Sequence, residues 1–213
     1  MPLATPDASI VVPEKSKRRD DPEAFRAVRR LDWRFLLPHP SLGRVAYWGP
    51  TDDSLFVALS TFCDQVTILG RQRDPVNGTL FDTVVVRLAS PSQLPTLLSH
   101  VQPGGVLYAE WYGRLLPPRV RREVGDKRMV STSPRAVTRA LAACEGADVH
   151  LYWHWPSFTA CTRIIPLGDG LALAYALGGP QCWLGAVAQW LWQWRVSSFL
   201  VPCFSSVVRR RVD

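Results

Sequence analysis

The sequence contains few cysteines, and none of them lie close together. The five stand singly, without a C-x-x-C pair and without a Cys/His cluster of zinc-binding spacing: Cys63, Cys144, Cys161, Cys182 and Cys203. An odd number at such wide spacing is typical of reduced thiols, which favours the cytoplasm as the compartment. We therefore expect no disulfide and no structural metal.

Signals for export, repeats and membrane spans are also missing. Residues 1–20 are polar and rich in proline, serine and charge, without the apolar core of a signal peptide. We therefore expect a disordered tail followed by a single domain over residues 21–213. The long apolar stretch over residues 171–208 is interrupted by Pro180 and Pro202, and a span needs about 20 uninterrupted residues, so no membrane span is expected.

Acidic residues are in the minority, which gives the chain a net charge of +7. A basic chain can attract nucleic acid. The basic groups are spread over the sequence, however, and alternate with acids, and no RNA-binding aromatic motif accompanies them. We interpret them as solvated surface and do not expect nucleic acid as a partner.

What the chain does contain is an alternation of apolar strands with amphipathic helices. The first half predicts strands over residues 45–48, 66–69, 81–86 and 106–110. It predicts helices over residues 22–31, 55–62 and 92–100 and a turn over residues 103–105. The second half predicts a helix from Ser133, a strand over 148–155, an extended return over 162–167 and a last strand over 199–209. This order is typical of a parallel sheet covered on both faces.

Two of these strands resemble a known family. The segments Phe81-Asp-Thr-Val-Val-Val and Pro103-Gly-Gly-Val-Leu-Tyr resemble the fourth and fifth strands of class I S-adenosylmethionine-dependent methyltransferases. The last strand resembles that family's antiparallel seventh. The resemblance spans residues 40–211. It implies a Rossmann-like three-layer α/β sandwich, mostly parallel with an antiparallel C-terminal strand, and S-adenosylmethionine as cofactor.

Three features depart from the family's pattern. The loop after the first strand, residues 49–54, has one glycine where the family has two or three. No acid ends the second strand, where the family binds the ribose. Only eleven residues, 70–80, separate that strand from Phe81, too few for a helix and a third strand. These departures favour, as the alternative to a methyltransferase, a catalytically inactive domain that serves as a binding or scaffold module.

The cofactor-binding candidates lie after the predicted strands, because open parallel sheets bind ligands at the carboxyl ends of their strands. They are Gly49, Asp52, Asp53, Ser54, Arg71 and Arg87. Two aspartates at a helix start would repel a pyrophosphate but not the ammonium and sulfonium groups of S-adenosylmethionine. The alternative interpretation is that they are only an N-cap and its neighbour.

The catalytic candidates are Glu110, His150, Tyr152 and His154. Glu110 ends a predicted strand and either faces the crevice as a base or a polar clamp, or pairs with Arg114 on its rim. The other three share one strand face and are suited to take a proton from an O or N nucleophile of a small-molecule substrate. The alternative is the polar face of an edge strand with tryptophans buried behind it.

A tryptophan-rich helix is predicted over residues 181–195. It carries Trp183, Trp190, Trp192 and Trp194, with only glycine and glutamines as a polar stripe. Without Lys or Arg along that stripe, lipid binding is disfavoured. We expect this helix to pack on the domain or on a partner protein, which includes a homo-oligomer.

Overall fold

One mixed sheet of seven strands organises the chain. The computed structural model describes residues 29–37, 39–70, 78–87, 89–118, 120–121, 131–142, 144, 146–179, 181–183, 185 and 201–212. The strands are β1 (Val45–Trp48), β2 (Val66–Ile68), β3 (Phe81–Arg87), β4 (Val101–Tyr112), β5 (Ala147–Trp155), β6 (Arg163–Pro166) and β7 (Cys203–Arg210). Their order across the sheet is β2-β1-β3-β4-β7-β5-β6.

The strand directions define the fold class. Strands β2, β1, β3 and β4 run parallel to one another. Strand β7 is antiparallel to both β4 and β5, so β5 again runs parallel to β4. Strand β6 returns antiparallel to β5 at one edge. This is the expected Rossmann-like sheet, mostly parallel with an antiparallel C-terminal strand, and in the described part of the chain no strand lies beyond β2.

Helices cover both faces of the sheet. The helices are α1 (Ser54–Phe62), α2 (Leu94–Ser99), α3 (Pro134–Ala142) and α4 (Gly170–Ala176), with 3₁₀ helices at Asp32–Leu36 and Pro91–Gln93. One core joins α2, α3 and α4 to the sheet through residues such as Leu97, Val137 and Leu173. The opposite core joins α1 and the first 3₁₀ helix to the sheet through Leu59, Trp33 and Tyr108. The result is a three-layer sandwich.

Several sequence predictions need correction. The predicted turn over residues 103–105 lies inside β4, where a bulge absorbs it: between two pairings β3 advances from Phe81 to Thr83 while β4 advances from Val101 to Val106. Residues 32–36 form a 3₁₀ helix and residues 170–176 form α4, neither of which was predicted. The last strand begins after Pro202, because proline cannot donate to the ladder.

Two predicted helices fall largely or wholly outside the described residues. These are the helix over residues 22–31 and most of the tryptophan-rich helix over residues 181–195. In the described part of the chain, no helix is both long enough and apolar enough to cross a membrane. All five cysteines are free of disulfides, and Cys203 is the only one that is fully buried.

Candidate functional site

The carboxyl ends of β1, β3 and β4 meet beneath the first turn of α1. Four charged side chains with little exposure to solvent converge there: Arg30, Asp53, Arg87 and Glu110. We call these four residues the carboxyl-edge network. Ligands of open α/β sheets bind at this edge. The contacts within the network therefore determine which charged side chains are available to a ligand there.

Glu110, near the end of β4, is the centre of the network. Its carboxylate accepts two hydrogen bonds from Arg30, at 2.6 and 2.7 Å, in a bidentate pair. It also accepts one from Arg87 at 2.9 Å and one from the hydroxyl of Tyr108 at 3.0 Å. The predicted alternative, a rim pair with Arg114, is therefore replaced by an interior pair with two other arginines.

Arg87, the last residue of β3, spreads its guanidinium over three partners. Its Nε donates to Asp53 at 3.1 Å, one terminal nitrogen donates to Glu110, and the other donates to the hydroxyl of Tyr112 at 2.8 Å. Asp53 also caps α1, since its second oxygen accepts the backbone N–H of Leu55 at 2.8 Å. Asp53 is therefore an N-cap, as one of the two interpretations expects, and its remaining oxygen is paired with Arg87.

The network is electrically balanced. Two guanidinium groups face two carboxylates, so their charges compensate one another in the interior. Burial by itself would raise the pKa of Glu110, but Arg30 and Arg87 hold it at about 2. Glu110 is thus ionised and fully engaged at neutral pH, which makes it a poor proton acceptor.

Residues 49–54 comprise the loop between β1 and α1 and the first residue of α1. The outer side of this segment is exposed, and its inner side is filled by other side chains. Thr51, Asp52 and Ser54 are exposed. A Cβ built on Gly49 would lie 2.7 Å from the hydroxyl of Tyr47 and 2.8 Å from the Cβ of Arg87. The glycine is required there because the chain's own side chains approach it closely. A ligand at this loop therefore has access from its outer side.

The three catalytic candidates on β5 are brought to one face but to different depths. His150 is exposed, Tyr152 is half-buried and His154 is buried. His150 lies level with Val207, well before the carboxyl end of the strand. Strand β5 lies between β7 and β6 and is not an edge strand. The expected burial of tryptophans behind it holds for Trp153 but not for Trp155, which is 39% exposed.

His154 is the candidate that lies beside the network. Its Nε2 is 2.8 Å from the hydroxyl of Ser205, and its Nδ1 is 3.7 Å from the sulfur of Cys161. Burial lowers the pKa of His154 to about 4, although the charge of Glu110 opposes this shift. The imidazole is therefore neutral at pH 7 and weakly basic.

Sequence reasoning missed two residues at this edge. Arg30 lies 80 positions from its partner Glu110, and no spacing rule connects them. Phe158, in the loop after β5, is 2% exposed and has both network arginines against its ring, at 5.1 and 5.4 Å from the ring centre. A phenylalanine in a loop carries no sequence signal for such a position.

The remaining predicted residues divide as follows. Asp52 and Ser54 are at the loop, and Ser54 is 3.4 Å from Nε of Arg30. Arg71 lies outside the described residues. Among the residues that the structure describes, no three His, Cys, Asp or Glu side chains are grouped to hold a metal.

A separate open cavity of about 510 Å³ lies at the opposite, amino edge of the sheet, lined by residues such as Arg44, Phe62 and Asp64.

Similarity of this chain to known proteins is found in its structure. No family model and no curated protein matches the sequence. Solved structures that resemble the fold include the plantazolicin methyltransferase BpumL in complex with SAH, at TM-score 0.49 and 9% identity over 91% of this chain and 86% of that one. A SAM-dependent methyltransferase of Archaeoglobus fulgidus has TM-score 0.48 and 9% identity over 87% and 94%. A possible histamine N-methyltransferase of Thermotoga maritima has TM-score 0.43 and 12% identity over 89% of each chain.

Proposed function

We propose that this chain is a methyltransferase-like domain that binds S-adenosylmethionine over residues 49–54. The observation that carries the proposal is the position of the exposed loop, which joins β1 to the start of α1 at the carboxyl edge of the sheet. Asp52 gives this loop an exposed carboxylate. A carboxylate at a helix start disfavours a pyrophosphate and favours the cationic ammonium and sulfonium groups.

The side chains at the edge restrict how such a domain would act. In methyl transfer the cofactor supplies the methyl group to an O or N nucleophile. The interior positions of Glu110 and His154 leave them unsuited to accept the proton at neutral pH, because one is held as a carboxylate by two arginines and the other is weakly basic. Any transfer at this edge would therefore depend mainly on proximity and orientation.

A second candidate function is a binding or scaffold module that has lost the cofactor. The network favours it, because Asp53 and Arg87, two of the predicted cofactor-binding residues, bind each other. The inner side of the loop is likewise filled, since Tyr47 and Arg87 occupy the space beside Gly49.

Calorimetric titration with S-adenosylmethionine and S-adenosylhomocysteine separates the two functions. We expect saturable one-to-one binding, and we expect Asp52→Asn to weaken it by about fivefold, the effect of one exposed ion pair. Asp169→Asn is the matched control, because Asp169 also stands at a helix start but on α4. A folded wild-type protein that gives no binding heat with either ligand would contradict the proposal and favour the module.

A further inference from the structure

The ring of Phe158 lies in a cage of four charged or aromatic side chains, and it also packs in an apolar cluster with Val120 and Cys203. Arg30 and Arg87 place their guanidinium groups 5.1 and 5.4 Å from its centre. The ring of His154 is 4.8 Å away and tilted, and the ring of Tyr112 is 5.5 Å away and edge-on. All four cage residues are themselves buried. The cationic and aromatic contacts of this phenyl group are therefore of the kind that would bind the ring of an aromatic ligand.

The walls of this cage do not depend on Phe158 for their hydrogen bonds. Arg87 directs its three nitrogens at Asp53, Glu110 and Tyr112. Arg30 directs both terminal nitrogens at Glu110. Because these contacts lie in the guanidinium planes, the faces remain for stacking, and removal of the ring leaves the ion pairs satisfied.

The segment that carries the ring is a short loop, residues 156–162, between β5 and β6. Thr159, Ala160 and Thr162 on it are exposed, whereas Phe158 is its large buried side chain. The loop is closed on itself by Thr162, whose backbone N–H donates to the carbonyl of Trp155 at 2.8 Å. The loop therefore presents Phe158 to the cage from a closed turn, and the sulfur of Cys203 lies 3.9 Å from the carbonyl of Pro156 at its base.

We propose that the space held by Phe158 is a binding slot for a planar aromatic ring, with the loop 156–162 as its cover. The slot adjoins the proposed cofactor loop, because Arg30 is within 3.4 Å of Ser54 as well as against Phe158. This assignment rests on the proposed function: the slot would bind the aromatic part of the small molecule that accepts the methyl group. The ligand class is thus an aromatic or heteroaromatic small molecule.

The chemistry of the walls distinguishes an aromatic ring from a saturated one of the same size. Guanidinium groups are attracted to the negative face of an aromatic ring, and a saturated ring has no such face. An apolar cavity without guanidinium groups lacks this attraction to the ring face. Preference for the flat ring is therefore the property that only a slot of this composition would show.

The test compares phenol with cyclohexanol, which share a hydroxyl and ring size, in titrations followed by saturation-transfer NMR. In Phe158→Ala we expect phenol to bind about tenfold more tightly than cyclohexanol. The wild type should show the same preference with weaker affinity, because its own ring competes for the slot. Phe35→Ala is the matched control: its ring also lies against an arginine, Arg34, but it is 64% exposed, so this variant should behave as wild type.

Equal binding of the two rings by Phe158→Ala, or no detectable phenol binding by the wild type, would overturn the slot. If Phe158→Ala does not fold, Phe158→Leu replaces it, and it should bind phenol more tightly than wild type with the same ring preference. Titration with S-adenosylmethionine runs in parallel. Absence of S-adenosylmethionine binding in both wild type and variant counts against the proposed function. The preference for phenol over cyclohexanol alone tests whether the slot exists.

Discussion

At the scale of the residue, His154 shows how burial changes the chemistry of one side chain. The sequence places it beside Tyr152 and His150 as a proton acceptor, but in the fold it is 3% exposed and bonded to Ser205. Burial disfavours the imidazolium, so the pKa of His154 falls to about 4. Its neutral form is part of the packed interior.

This lowered pKa predicts a pH dependence of stability. Between about pH 6.5 and pH 4 the unfolded chain takes up a proton at His154 and the folded chain does not, so stability falls as the pH is lowered through this window. The full shift corresponds to about 3 kcal/mol. His154→Gln should reduce the loss of unfolding free energy between pH 7 and pH 4, measured by urea denaturation. Equal losses in wild type and variant would show that His154 is not protected from protonation.

At the scale of the element, the first turn of α1 combines two roles in Asp53. One carboxylate oxygen caps the helix through Leu55, and the other pairs with Arg87 of β3. The helix start is therefore fixed to the sheet by charge as well as by the apolar contacts of Leu59. Asp169 caps α4 in a comparable way, by accepting the backbone N–H groups of Leu171 and Ala172.

Substitutions at Asp53 separate these two roles. Asp53→Asn keeps an oxygen for the cap and loses the charge that faces Arg87, whereas Asp53→Ala loses both. We expect Asp53→Ala to be less stable than Asp53→Asn by about 1 kcal/mol, the ordinary value of a cap.

The same step from Asn to Ala at Asp169 serves as the control and should cost a similar amount. Asp53→Asn should itself be less stable than wild type, because it leaves Arg87 partly uncompensated. Denaturation followed by circular dichroism measures all four variants. Wild-type stability in Asp53→Asn would show that the pair with Arg87 contributes nothing.

The elements themselves were largely predictable, because each depends on a local pattern. The run around Val84 forms β3, and the run that starts at Val106 forms the second part of β4. Helix α4 was not predicted, since residues 170–176 are apolar nearly throughout and lack a polar stripe to mark helical spacing. The sequence predicts a turn at the position of the bulge in β4 because proline and glycine are typical turn residues, and glycine is also typical of bulges.

At the scale of the whole molecule, the carboxyl-edge network joins distant parts of the chain. Arg30 precedes the sheet in sequence, Arg87 ends β3, and Glu110 lies near the end of β4. The segment that follows Arg30 is also held by Trp33, whose ring stacks on Tyr108 at 3.8 Å. Loss of the central carboxylate should therefore affect global unfolding.

Glu110→Gln tests this expectation. It keeps the shape of the side chain but leaves two buried guanidinium groups with one carboxylate, and removal of one partner from a buried ion pair costs about 3–5 kcal/mol. Asp148→Asn is the control, because Asp148 pairs with Arg211 on the exposed surface, and its unfolding midpoint should not change measurably. A Glu110→Gln variant within about 1 kcal/mol of wild type would contradict a stabilising role of the network.

The antiparallel direction of the last strand was implied by the family resemblance. The sequence by itself determined the alternation of strands and helices, the parallel sheet, and the loop 49–54 at its carboxyl edge. These follow from patterns of a few residues, since apolar spacing, caps and glycines act on their own neighbourhood. Only the tertiary structure decided that Arg30 reaches Glu110 and that Phe158 fills the cage. Such contacts depend on which side chains meet after packing, and residues tens of positions apart carry no shared pattern along the chain.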